Sequence, residues 1–184
     1  VIPRKSTLTE LFDLFADDLL AERGARPLII VGASKVDHLL SEVLRSFLLP
    51  KVSRPRDPDE LLDGDTPIAT FSARIKMCRR LGLIDETLFL ALERLRALRN
   101  LSAHSISFDS AKSPVREHLS ELRRHVASRR SFGWTKERFF ENAPSQSIEE
   151  IQCMLLTLCV LLEAIRTKTR PISEKKRVLK IAAT

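Results

Sequence analysis

The segment "SIEEIQCMLLTLCVLLEAIRTKT", from Ser147 to Thr169, sets the strongest limit on what this chain can become. Placed on a helix, it is apolar on most sides from Ile151 to Ile165. A helix without a polar face has to be enclosed by other elements. Glu149 and Glu150 fall in its first turn, where carboxylates complement the helix dipole, and Pro171 breaks it. No run of 18 or more apolar residues occurs in the chain, so the enclosing medium is protein and no membrane span is expected. The rest of the sequence must therefore supply a shell.

The shell reads as helical. Leu is abundant, there are only 5 Gly and no Tyr, and β-branched runs are few, which favours helices over sheets. Thr7 to Arg23 places Leu8, Leu11, Phe12, Phe15 and Leu19 on one stripe, with Thr7 and Glu10 resembling a capping box and Gly24 a stop. "PLIIVGAS" has the look of a buried strand entering a phosphate-binding turn. However, it lacks a G-x-G-x-x-G or G-x-x-x-x-G-K-[ST] pattern and no partner strands follow. It also flows into the stripe Val36, Leu39, Leu40, Val43, Leu44, Phe47, so one long helix is expected between Pro27 and Pro50.

Pro55 to Asp65 reads as a charged surface loop. A short helix follows in "FSARIKMCRRLG", closed by Gly82; Asp85 then caps "ETLFLALERLRALRNLSAH". Further helices are expected over Ala111 to Val126 and Thr135 to Glu141. At 184 residues the chain suits one domain. The expected architecture is all-α: a single-domain bundle of about six to eight helices over residues 1–170, followed by a basic tail over 171–184.

Cys78, Cys153 and Cys159 are odd in number and show no C-x-x-C spacing, which suits buried thiols in a reducing compartment. No secretory signal is visible, so a cytoplasmic location is expected. His38, His104, His118 and His125 form no zinc-ligand pattern, and Ser34 in "GAS" lacks the nucleophile-elbow glycines. Neither a metal nor a cofactor is expected.

The net charge of +7 makes nucleic acid or an acidic partner worth considering. Arg123, Arg124, Arg129 and Arg130 form a basic corner, and Lys175, Lys176 and Arg177 lie in the tail. Both are candidate surfaces for nucleic acid or a partner, and both equally suit a solvated face or terminus. "ARIKMCRRLGLIDETLFLALERLR" has the outline of a helix-turn-helix. Its second helix would open with Asp85 and Glu86, which repel phosphate, and its later turns are committed to Leu88, Leu92 and Leu95. No reading helix is expected.

"LRALRNLSAHSISFD", Leu95 to Asp109, holds the most chemically suggestive residues. A four-step from Leu95 lands on Arg99, at the edge of the apolar stripe, where a guanidinium needs a partner. Asn100 and His104 share a face, whereas Arg99 and His104 lie about 140° apart on a regular helix. One expectation is a structural polar cluster of Arg99, Asn100, His104, Arg74 and Asp37 that latches helices together. The other is catalytic use of Arg99, Asn100 and His104: His titrates near neutral pH and Arg steadies an oxyanion.

Three blocks together resemble one family: "VGASKVDHLLSEVLRSFLL", "ELLDGDTPIATFSARIKMCRRLGLID" and "LRALRNLSAHSISFD". They resemble the mannitol operon repressors of bacteria, over about Leu8 to Asp109. The matching residues are Gly32, Ala33, Ser34, Asp37, Phe71, Ser72, Arg74, Arg99, Asn100 and His104. The resemblance implies an all-helical bacterial cytoplasmic protein that represses sugar-alcohol transport genes without a recognised DNA-binding motif. The chain departs from the pattern at "MCRR", over Arg123 to Arg138 and in the tail. "RNLSAH" separately resembles the R-x4-H motif of HEPN domains, some of which cleave RNA without metal.

Three functions follow as expectations. The first is a transcriptional regulatory protein acting mainly through protein partners, such as the transcription machinery, or through weak electrostatic contact with nucleic acid. The second is a HEPN-type metal-independent endoribonuclease whose Arg99 and His104 meet a second subunit in a homodimer. The third is a non-catalytic helical scaffold.

Overall fold

In the computed structural model, which describes residues 10–140 and 147–174, every residue from Ile151 to Val160 is buried. They belong to a 22-residue helix, Ser147–Lys168. Among the described residues six helices precede it: α1 (Glu10–Ala21), α2 (Ala25–Phe47), α3 (Phe71–Arg80), α4 (Glu86–His104), α5 (Val115–Ala127) and α6 (Arg130–Phe139), which makes the last one α7. No strand occurs among them, so the chain is an all-α single-domain bundle, as its composition implies. The shell that α7 requires is built by α1, α2, α5 and α6; α3 and α4 pack on α2 and on each other, and α4 also packs along α5. No helix among the described residues is long and apolar enough to cross a membrane.

The "PLIIVGAS" stretch lies wholly inside α2. Leu28, Ile29, Ala33, Val36, Leu39, Leu40, Val43 and Leu44 follow the helical period and are buried. At Gly32 α2 lies close against α7: a Cβ added there would lie 2.5 Å from Leu155 Cδ1 and 3.0 Å from its Cγ. Gly24 separates α1 from α2 as an extended N-cap without a side-chain cap bond. The expected capping box at Thr7 lies outside the described residues.

Two side chains hold helix ends from a distance. The Gln152 amide nitrogen donates to the carbonyls of Leu19 (3.0 Å), Leu20 (3.2 Å) and Glu22 (3.0 Å). These acceptors close α1, and a helix's last carbonyls have no partners of their own. Arg26 Nε donates to the Ser102 carbonyl at 2.8 Å near the end of α4, a favourable place for a cation.

The connection from residue 48 to residue 70 carries no helix but is tightly held. Arg45 pairs with Asp59 at 3.0 Å and Asp63 at 2.6 Å. One Asp59 oxygen accepts the N–H groups of Leu61 and Leu62, seating Leu62 in the core. Glu60 accepts the Val52 N–H at 2.9 Å and the Ser53 hydroxyl at 3.0 Å. The Val52 amide is the main reason its carboxyl falls to about 2 from 4.5.

Two helix starts differ from expectation. α5 begins at Val115, four residues later than Ala111, because Pro114 is its N-cap and the Asp109 carboxylate turns the preceding chain through the Ala111 N–H. α6 begins at Arg130 instead of Thr135. The Thr135 hydroxyl bonds back to the Ser131 carbonyl at 2.8 Å, so Thr135 lies within the helix. All three thiols are buried and free. Burial pushes Cys78 and Cys159 up to about 12 and Cys153 to about 11, which makes them inert filler.

Candidate functional site

The buried row of α4 runs Leu88, Ala91, Leu92, Leu95, Leu98, Ser102. From Leu95 the row takes a three-step to Leu98, not a four-step to Arg99. A 3.6-residue period forces such alternation of steps. Arg99, Asn100 and His104 are consequently all exposed. The enclosed cluster expected of these three side chains is a surface row instead, and Arg99 needs no buried counter-ion.

That phase turns Arg96, Arg99 and Asn100 into a cleft of about 410 Å³. Its opposite wall is α2, through Ala33, Ser34 and Asp37, and its end is the start of α3, through Ala69, Thr70, Phe71 and Ser72. All three sequence blocks therefore meet here. Gly32 does not line the cleft; it lets α2 sit close to α7, directly behind Ala33.

The cleft is electropositive by construction. Thr70 caps α3, its hydroxyl accepting the Ala73 N–H at 3.2 Å, which aims the first turn and its positive dipole end at the space. Asp37 is the one carboxylate among the lining residues. It is held by Arg74 at 2.8 Å. Arg74 also donates to the Leu62 carbonyl at 2.7 Å, so it ties α3 both to α2 and to the 48–70 connection. Arg96 pairs with Glu93 at 2.7 Å. Arg99 contacts only the neighbouring Asn100 amide oxygen, at 3.4 Å, and has no ion pair among the described residues. Arg99 therefore offers a guanidinium, and Asn100 an amide, to whatever enters. The Ser34 hydroxyl is engaged with the Ile30 carbonyl at 3.0 Å.

Of the five residues expected to cluster, the structure joins Arg74 with Asp37, and Arg99 with Asn100. His104 stands apart, exposed at the last position of α4 and outside the cleft lining. Arg99 and His104 do not converge within the chain. Nor is the start of α4 free to read nucleic acid: Asp85 caps it through the Leu88 N–H, and Arg79 pairs with Glu86 at 2.6 Å across the Gly82 turn.

The basic corner is largely spent on internal pairs. Arg123 pairs with Glu150, Arg124 with Glu121 at 2.7 Å, and Arg129 grips Asp85 with two bonds of 2.8 and 2.6 Å. Arg130 alone of the four has no ion pair among the described residues. Lys175, Lys176 and Arg177 lie outside the described residues. No group of three or more His, Cys, Asp or Glu suited to a metal ion occurs among the described residues.

Sequence reading did not single out Arg96 or Thr70 as site residues. Both carried a signal. Positions 96, 99 and 100 are spaced as neighbours on one helix face, and a threonine before "FSARIK" is an N-cap type.

No protein-family model and no curated protein matches the chain. Solved structures do share its fold. A chain of the MtlR–HPr complex from Escherichia coli superposes with a TM-score of 0.59 at 20% identity, covering 86% of this chain and 99% of that one. The possible transcriptional regulator YggD from Shigella flexneri 2a superposes with a TM-score of 0.55 at 14% identity, covering 88% and 98%. The likeness is one of fold over nearly the whole of both proteins, and it is the all-helical fold that the three sequence blocks imply.

Proposed function

We propose that this protein is a regulatory module of the mannitol-operon-repressor type, acting by docking a partner protein in the cleft between α2, α3 and α4. One observation carries the reading: three blocks far apart in sequence place their polar residues on one open cleft, where Arg99 has no counter-ion among the described residues. An interior latch would consume these groups; a docking surface leaves them exposed.

The chemistry selects an acidic partner segment. Arg99 presents a planar fork of donors suited to a carboxylate. Asn100 adds an amide, and the start of α3 adds a favourable dipole. Arg74 and Asp37 act as the strut that fixes the α2–α3 wall. The fold relation to an MtlR chain solved with the protein HPr supports a protein partner. Nucleic-acid contact is secondary in this reading, since three of the four corner arginines are neutralised within the chain.

Calorimetric titration with purified HPr is the direct test. Binding is expected, weakened by about tenfold or more in Arg99→Glu, since losing a charge-assisted pair and adding repulsion exceeds about 1.4 kcal/mol. The melting temperature should not change, because Arg99 is exposed. Equal binding by the variant, or no binding by the native chain, overturns the proposal.

A further inference from the structure

A second cavity, of about 600 Å³, opens between the Gly82–Asp85 turn, the start of α6 and the C-terminal half of α7. It shares no lining residue with the docking cleft. Leu83, Leu88, Val160, Leu161 and Ile165 give it an aliphatic wall. Its volume is in the range that holds small organic ligands.

The cationic lining comes from the start of α6 and the last turn of α7. Arg130 and Lys168 line the cavity, are exposed, and have no ion pair among the described residues. α6 starts there with no side-chain cap; the Phe132 N–H bonds to the Arg129 carbonyl at 2.9 Å, and the N–H groups of Arg130 and Ser131 before it have no intrahelical acceptors. Ser131, in that first turn, lines the cavity and is only 8% exposed; its hydroxyl is buried with no hydrogen-bond partner. Buried hydroxyls are normally satisfied, so this one has hydrogen-bonding capacity to spare. The carboxylate of Asp85 also lines the space, but both its oxygens are held by Arg129 and one also takes the Leu88 N–H.

We propose that this cavity is a binding site for a small amphipathic anion, an aliphatic body ending in a carboxylate. The aliphatic wall takes the body. Arg130, Lys168 and the open turn of α6 take the head, with the Ser131 hydroxyl as an added donor. The chain's own residues 175–184 have the wrong sign to serve as occupant, with Lys175, Lys176, Arg177 and Lys180 and no acidic side chain. The site stands independently of the docking reading.

The test is titration of the full chain with sodium decanoate, with decanol as the uncharged comparison. Saturable one-to-one binding of decanoate is expected, tighter than decanol by about tenfold, as a charge-assisted head contact provides. Arg130→Glu together with Lys168→Glu should erase that preference without shifting the melting temperature, because both side chains are exposed. Ala164→Phe, which fills the aliphatic half, should weaken both ligands. Absence of decanoate binding, equal affinity for decanol, or affinity unchanged by both variants each overturns the proposal.

Discussion

Replacing Gly32 by alanine sets two known effects against each other at one position. Gly32 sits within α2 and is not among the glycines with positive φ, so an alanine fits the backbone. Helix propensity alone favours alanine by about 1 kcal/mol. The new Cβ, however, would lie 2.5, 2.8 and 3.0 Å from Cδ1, Cδ2 and Cγ of Leu155. Turning the isopropyl tip does not relieve the contact at Cγ, and Leu155 is 0% exposed, with packed neighbours on all sides. Overpacking of this kind costs about 1–3 kcal/mol. The net expectation is a loss of about 1 kcal/mol, or about 2–4 °C in melting temperature for a chain of this size.

A double-mutant cycle isolates the cause. Leu155→Ala alone should cost about 2–5 kcal/mol. In that background the obstruction is gone, so Gly32→Ala should stabilise by about 1 kcal/mol through propensity. The two effects of the same substitution differ by about 2 kcal/mol, and that difference is the coupling energy. Urea unfolding of the four proteins measures it. If Gly32→Ala stabilises both backgrounds equally, α2 and α7 do not approach as closely as described and the reasoning fails.

Two further predictions concern the 48–70 connection and its anchor. Arg74→Ala removes the partner of Asp37 and of the Leu62 carbonyl in a half-buried setting, and should cost about 2–4 kcal/mol, read as a lower urea midpoint with unchanged slope; an unchanged midpoint would refute the strut. Acid should loosen the same region. The carboxyl of Glu60 is held at about 2 against 4.5 by the Val52 N–H, then by its own N–H and the Ser53 donors, and Asp63 is lowered by the Asp59 N–H and by Arg45. A depressed folded value means the contribution is complete above about 4.5 and is lost as pH falls toward about 2. Urea midpoints across that window should fall, and less steeply in Glu60→Gln; identical profiles would remove Glu60 from the account.

The helices were legible because their stripes are continuous. α2 could be told from a strand since Val36 to Phe47 extends the same period as "PLIIV". α7 could be placed at the centre because its apolar residues leave no outward face. The misplacement of Arg99 shows the limit of counting. Stepping by fours from Leu95 gathers phase error, and whether the next buried residue is Leu98 or Arg99 depends on how α4 leans on its neighbours. Convergence of Ser34, Ser72 and Arg99 was not legible either, because helix crossing geometry comes from packing and not from any one stripe. The start of α6 was misjudged for a local reason: a threonine that could open a helix instead bonds backward inside one.

The bond from Gln152 to the end of α1 also says something about time. Its donor and acceptors are separated by 130 to 133 positions. A ribosome emitting this chain releases α1 long before α7, and over that interval α1 has neither the wall of α7 to lie on nor the amide that finishes its last turn. A helix that emerges early is thus secured late. Until then its apolar side is open to chaperones and to neighbouring chains, and the vulnerable interval ends only when the central helix arrives.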